Sequence, residues 1–373
     1  MDQLKAMRDE IDRIDSEILK LLHQRKKTVE SVIDRKVNLR LPVFVPGRED
    51  EKVVAFRNHA ETLGLDPEFA EDFVRLMMSS SRDTQSISSF PCSTEEPRRV
   101  LYVGGEGGMG KLYRGFTERS GHHTFSIDKG NWYQLDSLTE NLDLVVITVP
   151  INVTESVIER IAPKLSPDTV LADFTSTKGS VLKKMLEVHP GPVVGLHPMH
   201  GPDVPNLTKQ LMVVCPGRDA EKAQWYLDQC ELWGMQLMEA SPEKHDHVMD
   251  LVQGLRHFVA LLHGSFMKKK DLRPKDMLNY SSPIYRAELM MTGRIFAQSA
   301  ELYADIVFSS SERRNLLLEF FEHHQRLADY VKQDDKEGFI REFEAVTDFF
   351  GSFATQALHE SGYLINRLAD RFS

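Results

Sequence analysis

The chain has 373 residues, 41% hydrophobic and 27% charged, enough for about two or three buried cores in an ordinary globular protein. Its formal net charge of −10 argues against wholesale binding to nucleic acid or to an anionic membrane, since a polyanion repels an acidic surface. No apolar run approaches the roughly 20 residues of a membrane span, and the start from Asp2 is too polar for a signal peptide.

The chain opens on a helical pattern. Leu4, Met7, Ile11, Ile14, Ile18 and Leu21 alternate steps of three and four, the seam of a long amphipathic helix that continues through Val29 and Val32 toward Lys36. Pro42 and Pro46 break it, and Glu49–Leu63 and Pro67 to about Gln85 read as two further helices. Three helices, the first about 50 Å long by helical rise, cannot cover their own apolar stripes as a monomer, so an intertwined homodimer is expected. Arg8, Arg25, Lys36 and Arg48 are basic residues near the seam. Arg25 and Lys36 are separated by roughly 16 Å of rise on nearly the same face and could grip an anion between them. Arg8, roughly 25 Å from Arg25 along the same helix, reaches that anion only from an antiparallel partner chain. Spacing alone also fits solvated basic residues on a helix surface.

After a Ser/Pro/Glu-rich run, Ser88 to Arg99, the pattern changes. "RVLYVGG", "TFSID", "LDLVVITVP", "TVLADF", "PVVGLHP" and "LMVVCPG" are short β-rich runs separated by helical stretches, which predicts a doubly wound, mostly parallel sheet. Gly105, Gly107 and Gly110 stand in G-x-G-x-x-G register between the first strand and a helix, the arrangement that cradles a dinucleotide pyrophosphate at a helix N-terminus. Asp128 ends the next strand, where a carboxylate accepts from a ribose diol and repels a 2′-phosphate, so NAD is favoured over NADP. Met109 within the motif, and Val149 and Pro150 at the end of "ITVP", would line the same cofactor. Cys92, Cys215 and Cys230 lack CxxC spacing and read as reduced thiols of a cytoplasmic protein, with no zinc framework.

"VVGLHPMHGPD" places His197 at the carboxyl end of a strand, on the edge where such sheets bind ligands. A neutral imidazole there could take a hydroxyl proton as hydride leaves the same carbon; it could equally be a strand-end histidine bonded to backbone. From Glu243 onward the pattern is helical, with continuous helices expected at His245–Lys269, Ile284–Phe308 and Glu312–Lys332. Arg286 and Arg294 fall near one helix face in an apolar stretch and suit carboxylate capture, or ion pairs with Glu288, Glu301 or Asp305. The His197/His200 and His245/His247 pairs have no convincing third ligand, so no metal is expected. The boundaries drawn are 1–90, a linker at 91–98, 99–241 and 242–373.

"LRLPVFVPGRE", "GLHPMHGPD", "LRHF", "SSPIYRAEL", "GRIFAQ" and "LYADI" are similar, in order and spacing, to segments of the bifunctional chorismate mutase–prephenate dehydrogenase (T-protein) family, and the chain resembles that family over almost its whole length. The resemblance implies a multidomain protein: an all-α three-helix mutase dimer, an α/β doubly wound Rossmann-like domain binding NAD, and an all-α C-terminal substrate-binding and dimerisation domain. It implies conversion of chorismate to prephenate, then oxidative decarboxylation of prephenate to 4-hydroxyphenylpyruvate in tyrosine biosynthesis. In the mutase, Arg8 from the partner chain, Arg25 and Arg48 would hold carboxylates, Lys36 would meet the ether oxygen, and Glu49 would bind the ring hydroxyl. Ser81 and Gln85 would complete that site. In the dehydrogenase, His197 would accept the hydroxyl proton with Ser176 beside it, and Arg294 would bind a carboxylate, with Lys178 and Arg286 as further candidates. His257 and Tyr303 would line the same region and take part in feedback inhibition by tyrosine.

The chain departs from the family pattern at Ile33 and Gly47 in the mutase, and at Thr177, His200 and Gly254. Ile33 and Gly47 leave a second reading open, a dehydrogenase whose mutase half serves as a dimerisation module.

Overall fold

The computed structural model describes residues 2–86 and 89–369, so Ser88, at the head of the Ser/Pro/Glu-rich run, lies outside the described residues. The chain divides into two compact units, one ending at His245 and one beginning at Asp246. The first holds both the N-terminal helices and the sheet, where the sequence suggests separate domains at 1–90 and 99–241.

In the first unit, α1 (Asp2–Asn38) carries the expected seam, with Leu4, Met7, Ile11, Ile14, Ile18 and Leu21 42–63% exposed. A left-handed Arg40 (φ 52°) lies in the connection to α2 (Pro46–Thr62), and α3 (Pro67–Ser86) follows. These two helices pack through Val53, Val74 and Met78.

The sheet then builds from β1 (Arg99–Val103), α4 (Gly108–Arg119), β2 (His123–Ile127), the short α5 (Leu135–Leu138), β3 (Leu144–Ile147), α6 (Ile151–Ile161), β4 (Val170–Asp173), α7 (Gly179–Val188), β5 (Val193–Pro198), β6 (Leu211–Pro216), α8 (Gln224–Leu232) and β7 (Gln236–Glu239). Its order is β2-β1-β3-β4-β5-β6-β7. The strands from β2 to β5 are parallel, β6 runs antiparallel to β5, and β7 is parallel to β6. The central strands are continuous apolar runs because helices cover both faces. Val100 and Tyr102 of β1 enter one core, while Leu101 and Val103 enter the other. The chain runs outward from β1 to β2 on one side and from β3 onward on the other, so a crevice opens at the carboxyl ends of β1 and β3. Sequence reasoning missed β7: Gln236–Glu239 is a mostly exposed edge strand with no apolar run to mark it.

The helix α9 (Pro242–Met249) carries the chain from the first unit into the second. The single helix expected over His245–Lys269 is interrupted by a π-helical turn, Asp250–Leu255, before α10 (Arg256–Lys269). Gly254 makes room there: a Cβ on it would stand 2.7 Å from Cδ of Arg313. After α11 (Pro274–Asn279), the helix expected over Ile284–Phe308 is likewise two, α12 (Pro283–Ile295) and α13 (Ala300–Val307). Ser299 accepts from the Leu302 N–H and so starts the second. The unit ends in α14 (Ser311–Lys332), α15 (Lys336–Phe350) and α16 (Ser352–Ala369).

Arg313, 1% exposed, joins these elements. Its Nε donates to Asp250 Oδ1 at 2.7 Å and its Nη1 to the Ile306 carbonyl at 2.5 Å. Arg313→Met would leave a largely buried carboxylate without its cation, which costs about 3–5 kcal/mol in comparable pairs. Urea unfolding should register that loss; a change under about 1 kcal/mol would show the pair to be inconsequential.

Candidate functional site

Helices α1, α2 and α3 bring one group of expected residues together. Arg25 of α1 donates from Nη1 to Ser81 Oγ at 2.8 Å and to the Met77 carbonyl at 3.1 Å, both on α3. Burial lowers the pKa of this guanidinium. Lys36, in the last turn of α1, donates to the carbonyls of Pro42 and Val43 at 3.0 and 2.9 Å. An ammonium has three donors, so these bonds aim it and leave capacity for a ligand. Burial lowers the Lys36 pKa, and the negative charge of Glu49 opposes the shift. Lys36 and the buried Gln85 line one small hollow, walled by Ile33, Val37, Leu41 and Val43. Glu49 pairs with Arg82 of α3 through Oε1 and with Lys209, from the connection between β5 and β6, through Oε2. Arg48 is exposed and pairs with Glu51 at 3.3 Å, and Arg8 is exposed on α1.

One residue near this group escaped the sequence reading. The pKa of Lys52 is lowered by burial, then by the charges of Arg25 and Arg48, which places it in the same cationic field. Its spacing from Arg48, one turn along α2, was the available signal.

The second group surrounds the crevice of the sheet. Gly104, at φ 87°, makes the turn out of β1, and a Cβ there would lie 2.9 Å from the Thr148 carbonyl oxygen. Gly110 lets α4 close on that turn, since a Cβ on it would stand 2.4 Å from the Gly104 oxygen. Gly107 immediately precedes α4, so the helix's first N–H groups face the loop. Asp128 accepts from the Glu106 N–H at 3.2 and 3.3 Å, which holds its carboxylate beside the loop Gly104–Gly108. Val149 and Pro150 follow β3, and Pro150 caps α6. Met109 is partly buried against the core. This backbone cradle, tight enough to exclude a β-carbon at Gly104 and Gly110, fits a dinucleotide pyrophosphate. Glu106 adds a carboxylate at its rim, paired with Arg114 at 2.6 Å and Lys111 at 3.5 Å; Arg114 chiefly holds its pKa down.

The third group lies at the end of β5. His197 is 3% exposed, and its Nδ1 is 2.8 Å from Nε2 of His245. His245, weighed from sequence only as a metal candidate, is therefore a ring partner. Ser176 is half-buried in the segment after β4, the strand paired with β5. Lys178, a further carboxylate candidate, lies inside the fold next to β5. It is fully buried, and its ammonium donates to the Asp173 carboxylate and to the Leu196 carbonyl at 2.8 Å. That ammonium supports the backbone beside His197. His200 accepts from the Tyr113 hydroxyl at Nε2 (3.0 Å) and donates from Nδ1 to the Gly201 carbonyl (2.9 Å), and burial lowers its pKa. It is a structural link between the β5–β6 connection and α4.

The second unit contains the remaining expected residues. Arg286 donates from Nη2 to the Leu278 carbonyl at 3.0 Å, and Arg294 lies exposed in the last turn of α12. The rings of His257 and Tyr303 meet edge to face with centroids 4.7 Å apart. Burial first, then the positive charges of Arg256 and Arg313, push the His257 pKa down to about 4, so the ring is neutral at physiological pH.

Three family models match the chain: chorismate mutase type II over residues 7–86, the prephenate dehydrogenase nucleotide-binding domain over 127–234, and the prephenate dehydrogenase dimerization domain over 241–345. The T-protein of Enterobacter agglomerans is 39% identical over 368 residues, covering 99% of this chain and 98% of its own. The T-protein of Haemophilus influenzae is 37% identical over 370 residues, with coverage of 99% and 98%. Among solved structures, a prephenate dehydrogenase from Aquifex aeolicus in complex with hydroxyphenyl propionate and NAD+ aligns with a TM-score of 0.56 at 20% identity, covering 68% of this chain and 97% of that one, a likeness of fold.

Proposed function

The chain belongs to the bifunctional chorismate mutase–prephenate dehydrogenases, and on that footing we propose how its residues divide the two reactions. The enzyme converts chorismate to prephenate, then oxidises and decarboxylates prephenate to 4-hydroxyphenylpyruvate with NAD, in tyrosine biosynthesis.

The mutase reaction needs no nucleophile. The site folds the substrate and stabilises charge on the breaking ether oxygen. Lys36 supplies that charge, with Gln85 on the same hollow as second donor. Arg25, steadied by Ser81, and Arg48 hold carboxylates, and Arg8 joins from a second copy. The observation that carries this reading is the hydrogen bond of Arg25 to Ser81 at 2.8 Å, two expected site residues 56 apart in sequence, with Lys36 and Gln85 meeting at one small hollow. The exposed seam of α1 is the surface the second copy would cover, making a homodimer.

In the dehydrogenase, Gly104, Gly110 and Asp128 would hold NAD at the sheet's crevice, where the cofactor would supply the hydride acceptor. His197 takes the hydroxyl proton. A His197 protonated at Nδ1 would donate to Nε2 of His245, 2.8 Å away, and carry its basic lone pair on Nε2, the tautomer a general base needs. Ser176 aligns the hydroxyl, and loss of CO2 leaves an aromatic ring, which makes the step favourable. Arg294 holds a prephenate carboxylate, with Arg286 in support. Arg294→Gln should raise the prephenate KM at least tenfold and leave the KM for NAD nearly unchanged in initial-rate assays. An unchanged prephenate KM excludes that role.

His257 and Tyr303 are the proposed point of inhibition by tyrosine, and the enzyme works in the cytoplasm. A coupled assay tests the whole reading: chorismate plus NAD should yield NADH, prephenate plus NAD is the control, and tyrosine should suppress the rate. One observation favours the second reading. Ile33, 5% exposed, takes up room in the wall of the Lys36 hollow. NADH from prephenate with none from chorismate would establish that reading and overturn the first.

A further inference from the structure

Glu49 sits on α2, but one of its two oxygens is held from outside the mutase helices. Lys209, from the connection between β5 and β6, brings its ammonium to 2.8 Å from Glu49 Oε2, and the carboxylate is only 15% exposed. The opposite oxygen is bonded by Arg82 of α3. Neighbouring contacts fix this meeting. The Lys209 ammonium lies 4.9 Å from the centroid of the Phe44 ring, in the loop that also supplies the carbonyls bonded by Lys36. Val43 N–H in that loop donates to the Leu232 carbonyl of α8 at 3.2 Å. Asn206, three residues before Lys209, donates to Asp83 of α3 at 2.7 Å.

The backbone supports the same conclusion. Lys209 is left-handed, at φ 64°, a conformation that costs an L-residue free energy and that glycine adopts without penalty. Its N–H donates to the Gly234 carbonyl at 2.8 Å, which holds the residue where the side chain reaches Glu49.

We propose that Lys209, a residue of the dehydrogenase half, is a positioning residue of the chorismate mutase site: it holds Glu49 against Arg82 so that the carboxylate meets the substrate's hydroxyl in one orientation. The inference rests on the assignment of Glu49 to that site, which Glu49→Gln tests separately.

Mutase and dehydrogenase kinetics of the full-length chain decide it. Glu49→Gln should lower mutase kcat/KM at least tenfold; no effect would remove the assignment of Glu49 itself, and this inference with it. Lys209→Met should lower mutase kcat/KM about fivefold, the scale of a partly exposed ion pair, and leave prephenate oxidation within twofold. Lys209→Arg should restore most of the loss. In the Glu49→Gln background, Lys209→Met should add nothing further. If Glu49→Gln acts but Lys209→Met leaves the mutase unchanged, the positioning role is overturned and Glu49 keeps its place. Equal losses in the wild-type and Glu49→Gln backgrounds, or parallel loss of both activities with a lowered Tm, would also overturn it by showing a general structural effect.

Discussion

His197→Asn is expected to lower prephenate dehydrogenase turnover by roughly 10²–10⁴-fold, the usual contribution of a positioned general base, while NAD affinity stays within about twofold. The substitution keeps a polar side chain that can bond to His245 but removes the basic nitrogen that would receive the proton. NAD affinity should survive because the dinucleotide loop follows β1, and β3 and β4 separate β1 from β5 in the sheet. Steady-state kcat together with NAD titration by fluorescence checks both halves of the expectation. Turnover within tenfold of wild type would assign the proton to another group; weakened NAD binding would mean that the His197–His245 pair shapes the cofactor cleft.

Lys36→Ala should reduce mutase kcat/KM by roughly 10²–10³-fold or more, the range seen when one preorganised donor to a developing oxyanion is removed, and spare prephenate oxidation. The pH dependence has a definite sign. Burial favours the neutral amine, so Lys36 loses its charge at a lower pH than an exposed lysine would, and the alkaline limb of mutase activity should move with it. Glu49 opposes that shift, so Glu49→Gln should move the limb to still lower pH. A profile of kcat/KM against pH reads both effects. An alkaline limb unmoved by Glu49→Gln would show that Lys36 is not the titrating group. Loss of both activities in Lys36→Ala would mean that the loop held by its bonds to Pro42 and Val43 supports the sheet as well.

The parts of this protein legible in the chain are those set by near neighbours. A three-and-four spacing from Leu4 to Leu21 specifies a helix with one apolar face whatever lies far away, because helical geometry repeats over a few residues. The runs "RVLYV", "LVVI" and "VVGL" are apolar on both faces and announce covered strands, and the register Gly105, Gly107, Gly110 announces a glycine turn before α4, whose left-handed residue is Gly104, one place earlier. Local pattern failed where the deciding partner was distant. The π-helical turn at Asp250–Leu255 has no local mark in the sequence, and the Arg313 side chain that lies against Gly254 and bonds Asp250 comes from more than fifty residues away. Lys178 gives no sign of its burial until Asp173 and the Leu196 carbonyl are seen to enclose it. Glu49 and Lys209 stand 160 positions apart and meet only when the β5–β6 connection closes on α2. Periodicity is a property of consecutive residues and can be read from their order. Burial of a charge and the identity of its counter-ion depend on which distant segments share the same few ångströms, and tertiary packing alone brings them there.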